Sequence, residues 1–156
     1  MSKVALYFDG AAEPNPGLAT FGAVLRCDGF SNHVSGIAGE TDTTNNTAEW
    51  RGLEEGLRLL KSEMPPGITH LEIFGDSQLV INQLTGKWGC NQPHLAEARD
   101  RCLSLLKELK LESTAKWIPR EENAEADRLT EEAWTAKTGR PFPKKPEHWK
   151  KKPSRK

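Results

Sequence analysis

Residues 4–17 read VALYFDGAAEPNPG, and their interpretation decides the fold. Val4 to Phe8 is an apolar run that reads as a strand over residues 3–8, buried in a sheet. The run ends in a carboxylate, Asp9. Small residues follow (Gly10, Ala11 and Ala12), and then Asn15 stands between Pro14 and Pro16. A charge at the tip of an apolar strand either opens a turn or is a functional group held rigidly at a sheet edge. In open α/β sheets that edge is where ligands bind.

Working outward, TFGAVLRC (20–27) and HVSGIAG (33–39) read as two further strands joined by the hairpin signal Asp28-Gly29. In TTNNTAEWRGLEEGLRLLKS the residues Trp50, Leu53, Leu57 and Leu60 recur at helical spacing. This predicts a helix over 45–62, capped by Asn45, Asn46 or Thr47, with Pro65-Pro66-Gly67 ending the segment after it. ITHLEIFGDS (68–77) reads as a strand and 77–85 as a short helix. Pro93 opens a longer helix through Lys110, with Leu95, Cys102, Leu105, Leu106 and Leu109 as its core candidates. STAKWIP is a last strand stopped by Pro119, and REENAEADRLTEEAWTAK a final helix. The order βββαβααβα implies an antiparallel meander followed by strands that return in parallel through helices: a mixed α/β sheet.

The chain of 156 residues is long enough for one domain with a core of its own. No run approaches the roughly 18 apolar residues of a membrane span, and no signal-peptide pattern opens the sequence, so no membrane partner is expected. Cys27, Cys90 and Cys102 stand at unrelated spacings that fit neither a disulfide framework nor a metal clip, and a reducing cytoplasmic setting is expected. The formal net charge of zero hides an asymmetry. From Lys137 onward there are nine Lys or Arg against one acid, Glu147, which leaves the rest about eight charges negative. The expected organisation is a domain over 1–137 and a basic, proline-containing tail over 138–156. That tail is either a solvated or partly docked extension, with Phe142 and Trp149 available for packing, or a source of auxiliary phosphate contacts.

Four acids fall at positions of interest. Asp9 and Asp76 lie at the carboxyl ends of apolar strands, which are parallel neighbours or near neighbours if the helix over 45–62 is their crossover. Glu49 is expected in the first turn of that crossover helix. Asp127 lies early in the last helix, four residues after Asn123 and therefore on its face. Each has a structural alternative as a turn former or helix-terminus acid. Together on one edge, however, carboxylates raise one another's pKa unless a cation holds them. An all-oxygen donor set without a His/Cys group suits Mg²⁺ or Mn²⁺ and not zinc. Two such ions about 4 Å apart activate water and stabilise a leaving oxygen of a phosphodiester. Metal-assisted phosphodiester hydrolysis follows as the expected chemistry.

The blocks YFDGAAEPNPG, TTNNTAEW, FGDSQLV and WIPREENAEADRL, in this order and spacing, resemble ribonuclease H type 1 over roughly residues 3–136. The resemblance implies a five-stranded mixed sheet of order 3-2-1-4-5 with its first three strands antiparallel. It implies a monomer that cleaves the RNA strand of RNA–DNA hybrids endonucleolytically, leaving 5′-phosphate and 3′-hydroxyl ends. Asp9, Glu49, Asp76 and Asp127 match the family's metal-binding acids, with Asp9 bridging two ions and Glu49 engaging the 2′-hydroxyl at the scissile ribose. Gly10, Ala11, Asn15, Asn45, Asn46 and Gln78 match positions that reach minor-groove edges and 2′-hydroxyls, the group by which a protein tells RNA from DNA. Gly10 and Ala11 are expected to be small so that a nucleic-acid backbone can approach. Asn15 and Thr44 match positions near DNA-strand phosphates, and Asn123 is counted among the substrate-binding residues. For the Asn45-Asn46 pair, helix capping is the alternative.

Two departures stand out. Many members carry a histidine in a loop before the last helix. Here that loop is PREEN, His94 and His148 are distant in sequence, and Arg120 is the available polar group, as in a short-loop archaeal and bacterial branch. Arg120 then either serves catalysis or pairs with Glu121 or Glu122 at the surface. The basic, tryptophan-rich handle of some bacterial members is reduced to TGKWGCNQPH, with Lys87 and Trp88 as its remnant. Two alternatives remain: a relative acting also on double-stranded RNA, and a hybrid- or double-stranded-RNA-binding module with weak or lost catalysis. The presence of all four acids speaks against the second.

Overall fold

Val4, Leu6 and Phe8 alternate along the first strand and are fully buried, while Tyr7 faces the opposite side. In the computed structural model, which describes residues 2–143, this strand is the centre of the sheet. The strands are β1 (Lys3–Ala12), β2 (Gly17–Cys27), β3 (Phe30–Thr43), β4 (His70–Gly75) and β5 (Glu112–Trp117), in the order β3-β2-β1-β4-β5. β1–β2 and β2–β3 pair antiparallel, and β1–β4 and β4–β5 pair parallel. The expected topology is therefore the observed one. The turn between β2 and β3 is Asp28-Gly29, and Gly29 adopts a positive φ of 72°, which glycine takes up without the penalty of a Cβ.

The helices are α1 (Asn45–Ser62), α2 (Gln78–Leu84), α3 (Pro93–Leu109) and α4 (Ala124–Thr138), with a 3-10 turn over Arg120–Asn123 before α4. Thr44 caps α1, its hydroxyl accepting from Thr47 N at 3.2 Å, so the cap falls one residue earlier than expected. Trp50, Leu53, Leu57 and Leu60 form one stripe of α1 and meet β1, β4 and α3 in the main core. Each such side chain contributes about 1.5–3 kcal/mol by leaving water. α4 packs on the other face through Ala126 and Leu129 against Val24 and Tyr7. Among the described residues no helix is long and apolar enough to cross a membrane.

α4 ends at Thr138, with Gly139 in the left-handed conformation as its cap. The chain then turns back: Phe142 meets Trp134 edge to face at 5.3 Å, and the Arg140 guanidinium lies over the same indole. The first residues assigned to the tail thus dock on α4. Trp149 and the remaining basic positions lie outside the described residues.

Candidate active site

Asp9 is not at the tip of its strand. β1 continues to Ala12, paired with β2 through Ala12↔Ala19, so Asp9 is clamped on one side by Gly22 of β2. On its other side β4 stops earlier: Phe8 pairs with Gly75, and Asp76 is the first residue beyond. The apolar run ends at Phe8 because the edge holding the site begins there, while the backbone ladder runs on. The parallel register brings Asp9 and Asp76 side by side. The indole of Trp117 at the end of β5 donates to Asp76 O at 3.2 Å, and Ile118 N donates to Gly75 O at 2.9 Å.

Glu49 comes from α1. It is the fifth residue of that helix and so stands in the second turn, one turn deeper than expected. Two glycines put it beside Asp9. A Cβ on Gly10 would lie 2.2 Å from the carbonyl carbon of Ala48, and one on Gly52 would lie 2.5 Å from Asp9 O. The helix backbone therefore rests directly on β1. Gly10 and Ala11 are both buried, and the space a side chain on Gly10 would fill belongs to α1, so packing of the helix requires a glycine there. Gly52 was not singled out in the sequence. Its signal was a glycine inside an otherwise strong helix, which costs helix stability unless a close approach requires it.

The result is a cluster in which Asp9, Glu49 and Asp76 each offer an oxygen within 4.8 Å of the others. Asp9 is 4% exposed. Burial first, then the charges of Asp76, Glu49 and Asp127, push its carboxyl well above the ordinary carboxylate range, with Arg120 pulling the other way. Three oxygen donors converging on a point where one proton or cation is demanded form a donor set that fits a hard divalent ion.

Asp127, in the first turn of α4, stands outside that triad. Its Oδ1 lies 3.6 Å from Nη2 of Arg120. Arg120 is thus paired with a site acid and not with Glu121 or Glu122. Burial disfavours its charge, and Asp127, Asp9, Asp76 and Glu49 outweigh that, so its pKa is raised.

The other expected residues divide by location. Asn15 Oδ1 accepts from Asn45 N at 3.0 Å, and Asn45 Oδ1 accepts from Ala12 N at 2.7 Å. Each asparagine commits its carbonyl oxygen to this lock between the β1–β2 loop and α1, leaving its NH₂ group as the donor for other partners. Asn46 is exposed beside them, Thr44 serves the cap, and Gln78 is the half-buried first residue of α2. Asn123 is 1% exposed, and its amide donates to Phe8 O at 2.8 Å, so its side chain is turned inward against β1. Trp88 is exposed.

This topology with an acidic cluster at the β1/β4 edge defines a ribonuclease H-like domain. A family model described as reverse transcriptase-like matches residues 7–133. A ribonuclease HI of Halobacterium salinarum is 39% identical over 84% of the chain and 64% of its own length. The solved RNase H1 of that archaeon has a TM-score of 0.73 and 37% identity over 86% of this chain and 99% of the other. The N-terminal RNase H domain of a Mycobacterium tuberculosis protein has a TM-score of 0.78 and 32% identity over 87% and 96%. A third structure, LC11-RNase H1 in complex with an RNA/DNA hybrid, has a TM-score of 0.76 and 32% identity over 83% and 95%. The chain spans 36% to 64% of the length of the first curated relatives it matches. It belongs to the ribonuclease H type 1 family.

Proposed function

We propose that this chain is a divalent-metal-dependent endoribonuclease that hydrolyses the RNA strand of RNA–DNA hybrids, leaving 5′-phosphate and 3′-hydroxyl ends. The observation that carries the reading is the triad of Asp9, Glu49 and Asp76 at the sheet edge, with Asp9 buried among like charges. Family membership and a relative solved with an RNA/DNA hybrid support the substrate.

Asp9, Glu49, Asp76 and Asp127 would hold Mg²⁺ or Mn²⁺, two ions per site with substrate, and these would supply an activated water and stabilise charge on the leaving oxygen. The chain's own residues do the rest. The β1 ladder and the close rest of α1 on Gly10 hold the backbones that carry Asp9 and Glu49 against each other, which favours a preorganised pair of carboxylates. Glu49 approaches from α1 and is the acid we assign to the ribose 2′-hydroxyl. The NH₂ groups of Asn15 and Asn45, with Asn46 and Gln78, are donors for minor-groove acceptors and 2′-hydroxyls. Arg120 places a fixed positive charge beside Asp127, where a histidine stands in many members. We read the protein as a cytoplasmic monomer, with the catalytic unit over 1–137 and the basic tail over 138–156 as an accessory.

The test is cleavage of labelled hybrid, double-stranded RNA and single-stranded RNA side by side with Mg²⁺, Mn²⁺ and chelator. Metal-dependent cuts in the RNA of the hybrid are expected. Binding of hybrid without cleavage under either metal would replace the enzyme by a binding module.

A further inference from the structure

We infer that Asn123 is a positioning residue of the metal site and not a contact of the nucleic acid. The inference rests on the proposed metal-dependent activity and assigns this residue a different task in it.

The primary amide of Asn123 has two hydrogens, and both are directed at the site. Nδ2 donates to Phe8 O at 2.8 Å and lies 3.4 Å from Asp76 Oδ2. Phe8 is the residue before Asp9, so the first bond fixes the peptide that carries the buried aspartate. The second, longer contact reaches the Asp76 carboxylate through one of its oxygens. Asn123 itself is the last residue of the 3-10 turn and the cap position of α4, which carries Asp127 one turn later. One side chain therefore ties three elements together: the β1 strand, the end of β4 and the start of α4.

The other half of the amide makes the role specific. Asn123 Oδ1 is buried and has no hydrogen-bond partner, and no side-chain bond of Asn123 caps α4. A buried acceptor left unmatched costs stability, so the acceptor is not what places an asparagine here. What the asparagine contributes is its donor pair. Groups that hydrogen-bond to metal-binding carboxylates set their orientation, and losing one typically costs about 10–100-fold in metal affinity or activity.

The experiment compares Asn123→Leu and Asn123→Ala with the wild-type chain. Mn²⁺ is titrated into hybrid-free protein by electron paramagnetic resonance, hybrid cleavage is resolved into kcat and KM, and folding is followed by circular dichroism. Leu keeps the volume and removes the orphaned acceptor, so it preserves any role in packing alone. In both variants Mn²⁺ binding is expected to weaken about tenfold or more and kcat to fall about 10–100-fold, with KM within about twofold and the folded spectrum retained. Wild-type Mn²⁺ binding in both variants would overturn the inference, as would a raised KM at unchanged kcat, the mark of a substrate contact. Loss of the folded spectrum in both would also overturn it, making Asn123 a residue of the fold. A wild-type chain that binds Mn²⁺ and leaves the hybrid intact would remove the proposed activity alone, and the Mn²⁺ comparison would still decide the role of Asn123.

Discussion

Gly52 lies against Asp9 so closely that a Cβ on the glycine would stand 2.5 Å from the aspartate's carbonyl oxygen. Gly52→Ala gains about 1 kcal/mol of helix propensity. It also drives a methyl into strand backbone that cannot turn aside, and overpacking of this kind costs about 1–3 kcal/mol. The clash wins, because relieving it means lifting α1 from β1 and carrying Glu49 away from Asp9. A lower Tm is expected, with kcat reduced more than tenfold, since misplacement by about 1 Å can cost 10²-fold. Melting and hybrid cleavage check this, and a variant with wild-type values in both would separate Glu49 from the packing of α1.

Asp9→Asn is expected to abolish cleavage by orders of magnitude while stabilising the metal-free fold. Burial and the neighbouring acids raise the folded-state pKa of Asp9 above its unfolded value, about 3.9. The stability held by the protonated acid is therefore complete below about pH 4 and lost as pH rises through the raised value. Melts in chelator should show the variant above the wild type at pH 8, by about 2–4 °C per kcal/mol for a chain of this size, and level with it near pH 4. Equal melts at both pH values would mean that Asp9 carries no such penalty.

Arg120→Ala removes the cation paired with Asp127 and facing the acids. About a tenfold loss of kcat with little change in Tm is expected. Arg120→Lys restores the charge without the planar fork and is expected to recover only part of it. An unchanged kcat in Arg120→Ala would reduce the pair to a structural contact.

Glu54 offers a pH test away from the site. It is 5% exposed on α1 and receives Arg58 of the same helix at 2.7 Å and Arg101 of α3 at 3.1 and 3.2 Å. Burial alone would raise its pKa, and the hydrogen bonds from Arg58 and Arg101 outweigh it, so the value falls below the ordinary 4.5. Its contribution is present above about pH 4.5 and lost as acid titrates it through the lowered value. Glu54→Ala is expected to cost about 1–3 kcal/mol at pH 7, less than a fully buried pair because both arginines are half-exposed and return to water. The gap to the wild type should narrow at pH 3, and a gap that does not depend on pH would assign the loss to packing.

Truncation after Pro143 tests the basic tail while keeping Phe142 on Trp134. It removes seven Lys or Arg and one acid. A groove of about 720 Å³ runs along α4 from Arg120 and Asp127 to Phe142, so the chain leaves the described fold beside the site. If the tail touches phosphates, KM for hybrid rises and its dependence on salt flattens, because fewer counterions are released. Unchanged values would exclude it as a substrate contact.

Much of the site was legible because its signals are local in sequence. The alternation of Val4, Leu6 and Phe8, the Asp28-Gly29 turn and the heptad-like stripe of α1 each report a period or a turn geometry that needs no partner. The acids were legible as candidates because each stands in a spaced block of the sequence, and three of them, Asp9, Glu49 and Asp76, come together in the fold. The crossover helix implied that β1 and β4 run parallel as neighbours or near neighbours, and the register between them placed Asp9 with Asp76.

What only the tertiary structure decided concerns contacts between residues far apart in the chain. That Asp9 lies inside a ladder depends on β2 pairing beyond it, and that Gly10 serves α1 depends on which surface covers it. The pairing of Arg120 with Asp127, its exclusion from Glu121 and Glu122, and the inward turn of Asn123 follow from the 3-10 turn that delivers them. Residue type and spacing determined which groups could do the chemistry, since propensity and periodicity act over a few residues. Packing decided which of them face one another and which face away, since burial and close approach are set by the whole fold.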